Sequence, residues 1–428
     1  MLVKLQNANL TMMINQDQAS WIASIHDVGR VTGPFISPLI VDSMGRKYSV
    51  IMITVMLFFI WPSQIYIRNI YLLYFARLMF GITNGISDVV GSIYVTENCS
   101  PEFRPVIAAL VSIMFAAGSF LELIIATYLE YRSTAAVNTM ISIFAFSASY
   151  FCIETPSFLI LKDKYEKAIK NLAWLRGDTM SQEILDELET LKNNVQHEKQ
   201  KQKSLRTLFS STDNVRGLCV VFSIYVIATA TGGTTEAYSV MIFQPTGNFS
   251  PYELTILSGI LHFIAICISP ITVSKINRKI LLTVGFSLMG LCHICTSTLF
   301  YLHNSNYEIT SFSWLIFASV TLFSSISAMI SPAIFVIRTE LLPLSVRALG
   351  ASTAVVTSAV TSFCVAKIFL PITARFGMET NFLMYAIMSM LTSVFVYYMV
   401  PEAEGETSDE IQESLEKNGE FSDVILVN

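Results

Sequence analysis

The sequence has little charge for its length. Of its 428 residues only 14% are charged, whereas 53% are hydrophobic and the mean hydropathy is +0.56. Soluble globular domains carry about 25% charged residues. The composition therefore excludes an ordinary soluble protein.

The sequence also lacks the patterns that enzyme chemistry requires. It contains no glycine-rich nucleotide-binding loop, no cluster of His, Cys, Asp and Glu at metal-ligand spacing, and no catalytic constellation. Its seven cysteines fall mostly within apolar runs, which predicts no disulfide, and the polar N-terminus predicts no cleavable signal peptide. We expect neither an enzyme nor a protein with a metal or another cofactor.

Long apolar runs make up most of the chain. A helix of about 20 apolar residues crosses a hydrocarbon core about 30 Å thick, and backbone inside lipid must satisfy its own hydrogen bonds by forming helices. The sequence therefore predicts an all-α polytopic membrane protein. Its eleven expected spans are 18–42, 48–66, 70–96, 104–129, 133–153, 216–243, 252–273, 280–302, 311–337, 347–372 and 380–400.

One hydrophilic stretch divides these spans into two groups. We expect a bundle of five spans in 1–153, a linker with its own helices in 154–215, a bundle of six spans in 216–400, and a tail in 401–428. Most of the 27 Lys and Arg residues fall in the linker or in short loops on the same side as the linker. By the positive-inside rule, the linker and the C-terminus are cytoplasmic. Two sequons then lie outside, at Asn9 and Asn248, and predict glycosylation.

The two groups of spans resemble each other. Gly-Arg-Lys at 45–47 corresponds to Asn-Arg-Lys at 277–279, and Glu97 with Arg104 corresponds to Glu340 with Arg347 at the same seven-residue spacing. Such repeats are typical of secondary transporters, which bind their solute between the halves. The repeat also predicts that the first of twelve helices is missing.

These motifs resemble the sugar-porter family of the major facilitator superfamily, and within it the insect facilitated trehalose transporters. The resemblance implies the major facilitator fold, alternating access and a plasma-membrane location, with a single chain as the working unit. It extends over nearly the whole chain, at 42–47 (DSMGRK), 77–81 (RLMFG), 94–97 (YVTE), 154–156 (ETP), 174–177 (WLRG) and 401–407 (PEAEGET).

The repeated charged motifs predict a gate. All lie at the ends of spans on the linker side, where we expect a salt-bridge latch that forms when this side closes and breaks when it opens. Lys and Arg alone would satisfy the positive-inside rule, but that rule does not account for acids at fixed spacing. The predicted latch residues are Arg46, Glu97, Arg104 and Glu154 in one half and Arg278, Glu340, Arg347 and Glu402 in the other.

The expected solute site departs from the family pattern. The family binds sugar with amides and a tryptophan, but most of these positions carry other residues here. Glu236 stands out among the residues that remain, because a carboxylate within a span usually faces a cavity. The predicted solute-binding residues are Ser112, Glu236, Tyr238, His262, Phe335 and Ser358.

Charged residues inside the first spans leave a second interpretation open. His26, Asp27 and Arg30 can share one helical face, and Asp88 lies within a later span. Asp27 either forms a self-neutralising structural pair with Arg30 or is, like Asp88, a proton-linked acid as in symporters. We expect facilitative transport of a sugar, trehalose or a hexose. The alternatives are a proton-coupled or non-sugar carrier and a non-transporting relative, and we expect no nucleic-acid partner.

Overall fold

The computed structural model describes residues 15–67, 69–100, 103–177, 181–200, 212–246, 249–305, 307, 312–341 and 347–400. Within these ranges it contains helices and no strand. The first bundle comprises α1 (Gln16–Met44), α2 (Arg46–Ile65), α3 (Ile70–Asn98), α4 (Arg104–Tyr128) and α5 (Tyr131–Ser149). Asn9, Asn248 and Glu402 lie outside the described residues, as does the predicted tail.

Three helices follow in the linker: α6 (Pro156–Leu161), α7 (Tyr165–Arg176) and α8 (Gln182–Gln200). They pack on one another around Leu159, Ile160 and Ala168. The second bundle comprises α9 (Thr212–Ala230), the short α10 (Ser239–Ile242), α11 (Pro251–Lys275), α12 (Arg278–Asn304), α13 (Trp314–Leu341), α14 (Arg347–Phe376) and α15 (Met378–Met399).

The predicted helical membrane fold is confirmed. Within the described ranges, nine helices are long and apolar enough to cross a membrane. The predicted spans at 18–42 and 133–153 are also helical, as α1 and α5, but they fall outside that set of nine. They are the more polar ones, since α1 alone carries Asp17, His26, Asp27, Arg30 and Asp42. The count of eleven spans stays a prediction.

Each bundle has its own contacts and core. In the first bundle α1 packs along α3, and α2 packs on α3 and α5. The backbones of α1 and α3 approach so closely that a Cβ on Gly33 would lie 2.6 Å from the Cα of Gly85. Small residues permit this approach between membrane helices. In the second bundle α12 packs on α13 and α15, around buried residues such as Leu282, Phe286 and Met289.

Among the described residues, two helix pairs make the main contacts between the bundles. Helix α1 packs against α14, and α4 packs against α11. Ala19 of α1 even belongs to a core cluster of the second bundle that includes Tyr238 and Phe369. Phe120 of α4 stacks on Phe263 of α11 with ring centroids 5.9 Å apart. These two pairs are where any movement between the bundles must be accommodated.

Candidate solute site and gate

The span predicted at 216–243 is not one continuous helix. Helix α9 ends at Ala230, and the chain continues as a 3₁₀ segment, Gly233–Tyr238, before α10 begins. Gly232 has a φ of +109°, a conformation that residues with a side chain rarely adopt. Two successive glycines beside threonines favour a break, because both residue types are weak helix formers. The break changes which side chains of this segment face the neighbouring helices.

A buried histidine holds the backbone at the break. The Nε2 of His293 on α12 lies 2.9 Å from the carbonyl oxygen of Thr231, a group that the interrupted helix leaves without its regular partner. The ring is 1% exposed and is surrounded by Phe323, Phe382 and Tyr385. The sequence did not single out His293, because no motif marks the residue that faces a helix break.

Beyond the break, two of the predicted solute-binding residues meet. The carboxylate of Glu236 lies 3.7 Å from Nδ1 of His262 on α11. The same Nδ1 lies 2.8 Å from the hydroxyl of Ser324 on α13. The Glu236 side chain is 69% exposed, so its oxygens are accessible to a solute. Glu236, His262 and Ser324 come from three elements of the second bundle, and together they are called the polar cluster below.

The other predicted solute-binding residues lie elsewhere. Tyr238 is buried, its ring stacks on Phe369 at 4.3 Å, and its hydroxyl donates to the carbonyl of Ala366. A solute could reach this ring only if that packing opened. Ser358 lies 3.2 Å from the hydroxyl of Thr229, between α14 and α9. Ser112 is exposed on α4, and the side chain of Phe335 lies outside the description.

Three of the four predicted latch residues of the first half, Arg46, Glu97 and Glu154, come together. Arg46 donates from Nη2 and Nε to the carboxylate of Glu97, at 2.7 and 3.1 Å. Glu154 accepts from the backbone N–H groups of Arg46 and Lys47, which begin α2. Thr155 joins the two acids by donating its hydroxyl to Glu97 while it caps α6. Arg46, Glu97, Glu154 and Thr155 are called the charged network below.

The charged network lies within one bundle and its linker, because it joins α2, α3 and the start of α6. The side chain of Arg104 in the first half and those of Glu340 and Arg347 in the second half lie outside the described residues. Arg278 is placed at the start of α12. Farther out, Glu187 hydrogen-bonds to Arg176 in the linker and raises the pKa of that guanidinium, which also donates to the carbonyl of Asn98.

The charged residues of α1 find partners on other helices. Arg30 lies 3.4 Å from the carboxylate of Asp88 on α3, so the arginine pairs across the bundle. The Asp27 carboxylate accepts the hydroxyl of Ser362 on α14 and lies 3.7 Å from His26. Both predicted proton-linked acids are thus held by a cation or a hydroxyl in this conformation.

Comparison with known proteins gives the family. The profile of the family described as "Sugar (and other) transporter" matches residues 3–415. The facilitated trehalose transporter Tret1 of Polypedilum vanderplanki is 24% identical over 419 residues, which covers 97% of this chain and 83% of that protein. Tret1 of Bombyx mori is 23% identical over 411 residues, with 95% and 81% covered.

A solved structure shows the same fold. The inward-open conformation of the xylose transporter XylE from E. coli superposes with a TM-score of 0.78 at 15% sequence identity, covering 96% of this chain and 93% of that one. The relatives are membrane transporters and not enzymes, as the sequence predicted. The chain belongs to the family described as "Sugar (and other) transporter".

Proposed function

We propose that the chain is a facilitative transporter of a neutral sugar, trehalose or a hexose, that works by alternating access. The match of a sugar-transporter family profile to residues 3–415 is the observation that carries this proposal. The names of the relatives, which specify trehalose, support the choice of sugar. The break between α9 and α10 supports it further, since interrupted helices build the solute sites of many transporters.

The polar cluster is our candidate for the solute contact. A sugar offers hydroxyls that donate and accept, and a carboxylate, an imidazole and a serine hydroxyl together supply both functions. Glu236 is accessible, and His262 is held by Ser324 at 2.8 Å, so one group is free to meet the solute while the other is oriented. Ser358, Ser112 and Phe335 remain proposals as further contacts, and Tyr238 would contribute only after repacking.

The partners of the intramembrane acids favour facilitative transport over proton coupling. A proton-linked carboxylate must change its charge during the cycle, which is easiest where no fixed cation neutralises it. Asp88 lies beside Arg30, and Asp27 is 7% exposed as a residue and hydrogen-bonded to Ser362. These contacts suit structural roles.

We further propose that the protein lies in the plasma membrane. The end of the bundles that carries the charged network then faces the cytoplasm. The placement of Lys and Arg supports this orientation. A single chain surrounded by lipid would be the working unit, with the charged network as part of the gate.

The test is uptake of radiolabelled trehalose and glucose into oocytes at about pH 5.5 and about pH 7.5, a range in which a proton-coupled carrier changes its rate. Surface expression is measured in the same cells. Saturable uptake that is equal at both pH values supports the proposal. Faster uptake at acid pH would favour proton coupling, and no uptake at normal surface levels would favour a non-transporting relative.

The polar cluster is tested by Glu236→Gln in the same assay. Loss of a charge-assisted hydrogen bond to the solute is expected to raise KM about tenfold at unchanged surface level. Glu253→Gln is the matched control, because Glu253 is an exposed acid in the first turn of α11. An unchanged KM in Glu236→Gln would remove this residue from the solute site.

A further inference from the structure

The bundles are joined by side chains at the end of α1 far from the charged network. Helix α1 has 29 residues and is about 43 Å long, so Asp17 and Arg46 lie at opposite ends of the molecule. Around Asp17 the side chains of α1 reach α14, which belongs to the other bundle. These side chains are called the seam: Asp17, Ser20, Trp21 and Asp27 of α1, with Ser362, Phe363 and Lys367 of α14.

Lys367 makes three contacts within the seam. Its ammonium group lies 2.8 Å from the carboxylate of Asp17 and 4.3 Å from the ring centroid of Trp21. Its backbone carbonyl accepts the hydroxyl of Ser20, which is fully buried. One residue of the second bundle therefore binds a carboxylate, an aromatic face and a hydroxyl of the first.

The rest of the seam continues these contacts toward the middle of the membrane. Trp21 also packs on Phe363, with ring centroids 6.1 Å apart. Ten residues from Asp17 along α1, the carboxylate of Asp27 accepts the hydroxyl of Ser362. Because α1 and α14 belong to different bundles, none of these contacts can survive a movement that separates the bundles at this end.

We infer that Lys367 is a gate residue of this end, and that its contacts with Asp17 and Trp21 must break each time the end opens. In the proposed function the charged network is part of the gate of the opposite end, so the inference supplies the partner gate and rests on that proposal. An ammonium that sits between a carboxylate and an indole ring suits such a switch. Each contact contributes little free energy by itself, and both partners, Asp17 and Trp21, are exposed.

The experiment measures how readily the seam opens, without measuring transport. Ser20 is changed to cysteine, and its reaction with a membrane-impermeant thiol reagent is followed in intact oocytes. Ser20 is buried while the seam is closed, so the reaction rate reports the open fraction. The chain without Ser20→Cys gives the background from its seven native cysteines.

Lys367→Met in the Ser20→Cys background is expected to raise the labelling rate about fivefold, because it removes the ion pair and the cation–π contact. Lys367→Arg keeps both and should label at nearly the original rate. Asp17→Asn removes only the ion pair at an exposed position, where folding is not at risk, and should raise the rate about twofold to threefold.

Lys275→Met is the matched control, since Lys275 is an exposed lysine at the opposite end of the second bundle. It should leave the labelling rate of Ser20→Cys unchanged. Unchanged labelling in both Lys367→Met and Asp17→Asn would overturn the inference. Because labelling needs no substrate, that result would stand apart from a failure to transport sugar.

Discussion

The charged network and the seam are both built from ion pairs and hydrogen bonds, but they connect different things. Arg46 and Glu97 join α2 to α3 within the first bundle, and their side chains are only 12% and 18% exposed. Asp17 and Lys367 join the two bundles, and the Asp17 side chain is 73% exposed. The first pair can move with its bundle as a rigid unit, whereas the second must break when the bundles separate.

The difference in exposure indicates that the two ion pairs have different roles. A desolvated pair inside a bundle holds the start of α2 against the end of α3, so it should matter for folding. A solvated pair between bundles contributes little to stability, and so it can form and break at low cost during a cycle. We therefore interpret the charged network as a brace within the first bundle. A latch between the halves at this end depends on second-half partners, and it stays a prediction.

The largest effect is expected from breaking the brace. Arg46→Ala leaves the Glu97 carboxylate partly buried without its cation, which typically costs about 3–5 kcal/mol. We expect a lower apparent melting temperature in detergent and a reduced amount of protein at the cell surface. Lys47→Ala is the control, since the Lys47 ammonium donates to the Tyr150 carbonyl in an exposed hydrogen bond. Equal stability of the two variants would contradict the role of Arg46 as a brace.

The contact between His293 and Thr231 inside the second bundle should affect stability, as the brace does, and not the opening of the seam. His293→Phe removes the donor to the Thr231 carbonyl, and an unsatisfied buried acceptor costs about 1–3 kcal/mol. We expect lower stability and a higher KM through displacement of Glu236, with unchanged labelling of Ser20→Cys. His293→Gln, which retains an N–H donor, should recover part of both effects. A changed labelling rate with normal KM would place His293 in the seam mechanism instead.

The smallest expected effect is a difference between the seam and the charged network in their response to salt. The Asp17–Lys367 pair is solvated, so raising the external NaCl concentration to about 0.5 M should screen it and speed labelling of Ser20→Cys about twofold. The Lys367→Met background should lose this salt response. The brace is desolvated, and the melting temperature of the protein should hardly change over the same range. A salt response that persists in Lys367→Met would rule out this pair as its source.

Sequence reasoning predicted what depends on pattern along the chain. The apolar runs gave the helical fold, and the repeated spacing brought Arg46, Glu97 and Glu154 to attention. It also marked Glu236 and His262 because ionisable groups are rare within spans. It missed Ser324, His293 and the role of Lys367, because each acts on a helix that is distant in sequence. It did not predict that Tyr238 points into the core, because side chains of a 3₁₀ segment point in different directions from those of an α-helix.

We expect transport to require that the bundles separate at the seam. The direct test uses the double variant Asp17→Cys with Lys367→Cys and a short bifunctional thiol reagent that reduction can cleave. Sugar uptake is measured before cross-linking, after cross-linking and after cleavage of the cross-link. Each single variant controls for the native cysteines. If the seam must open, uptake is lost when the two helices are cross-linked and returns when the link is cleaved. Undiminished uptake by cross-linked protein would contradict it.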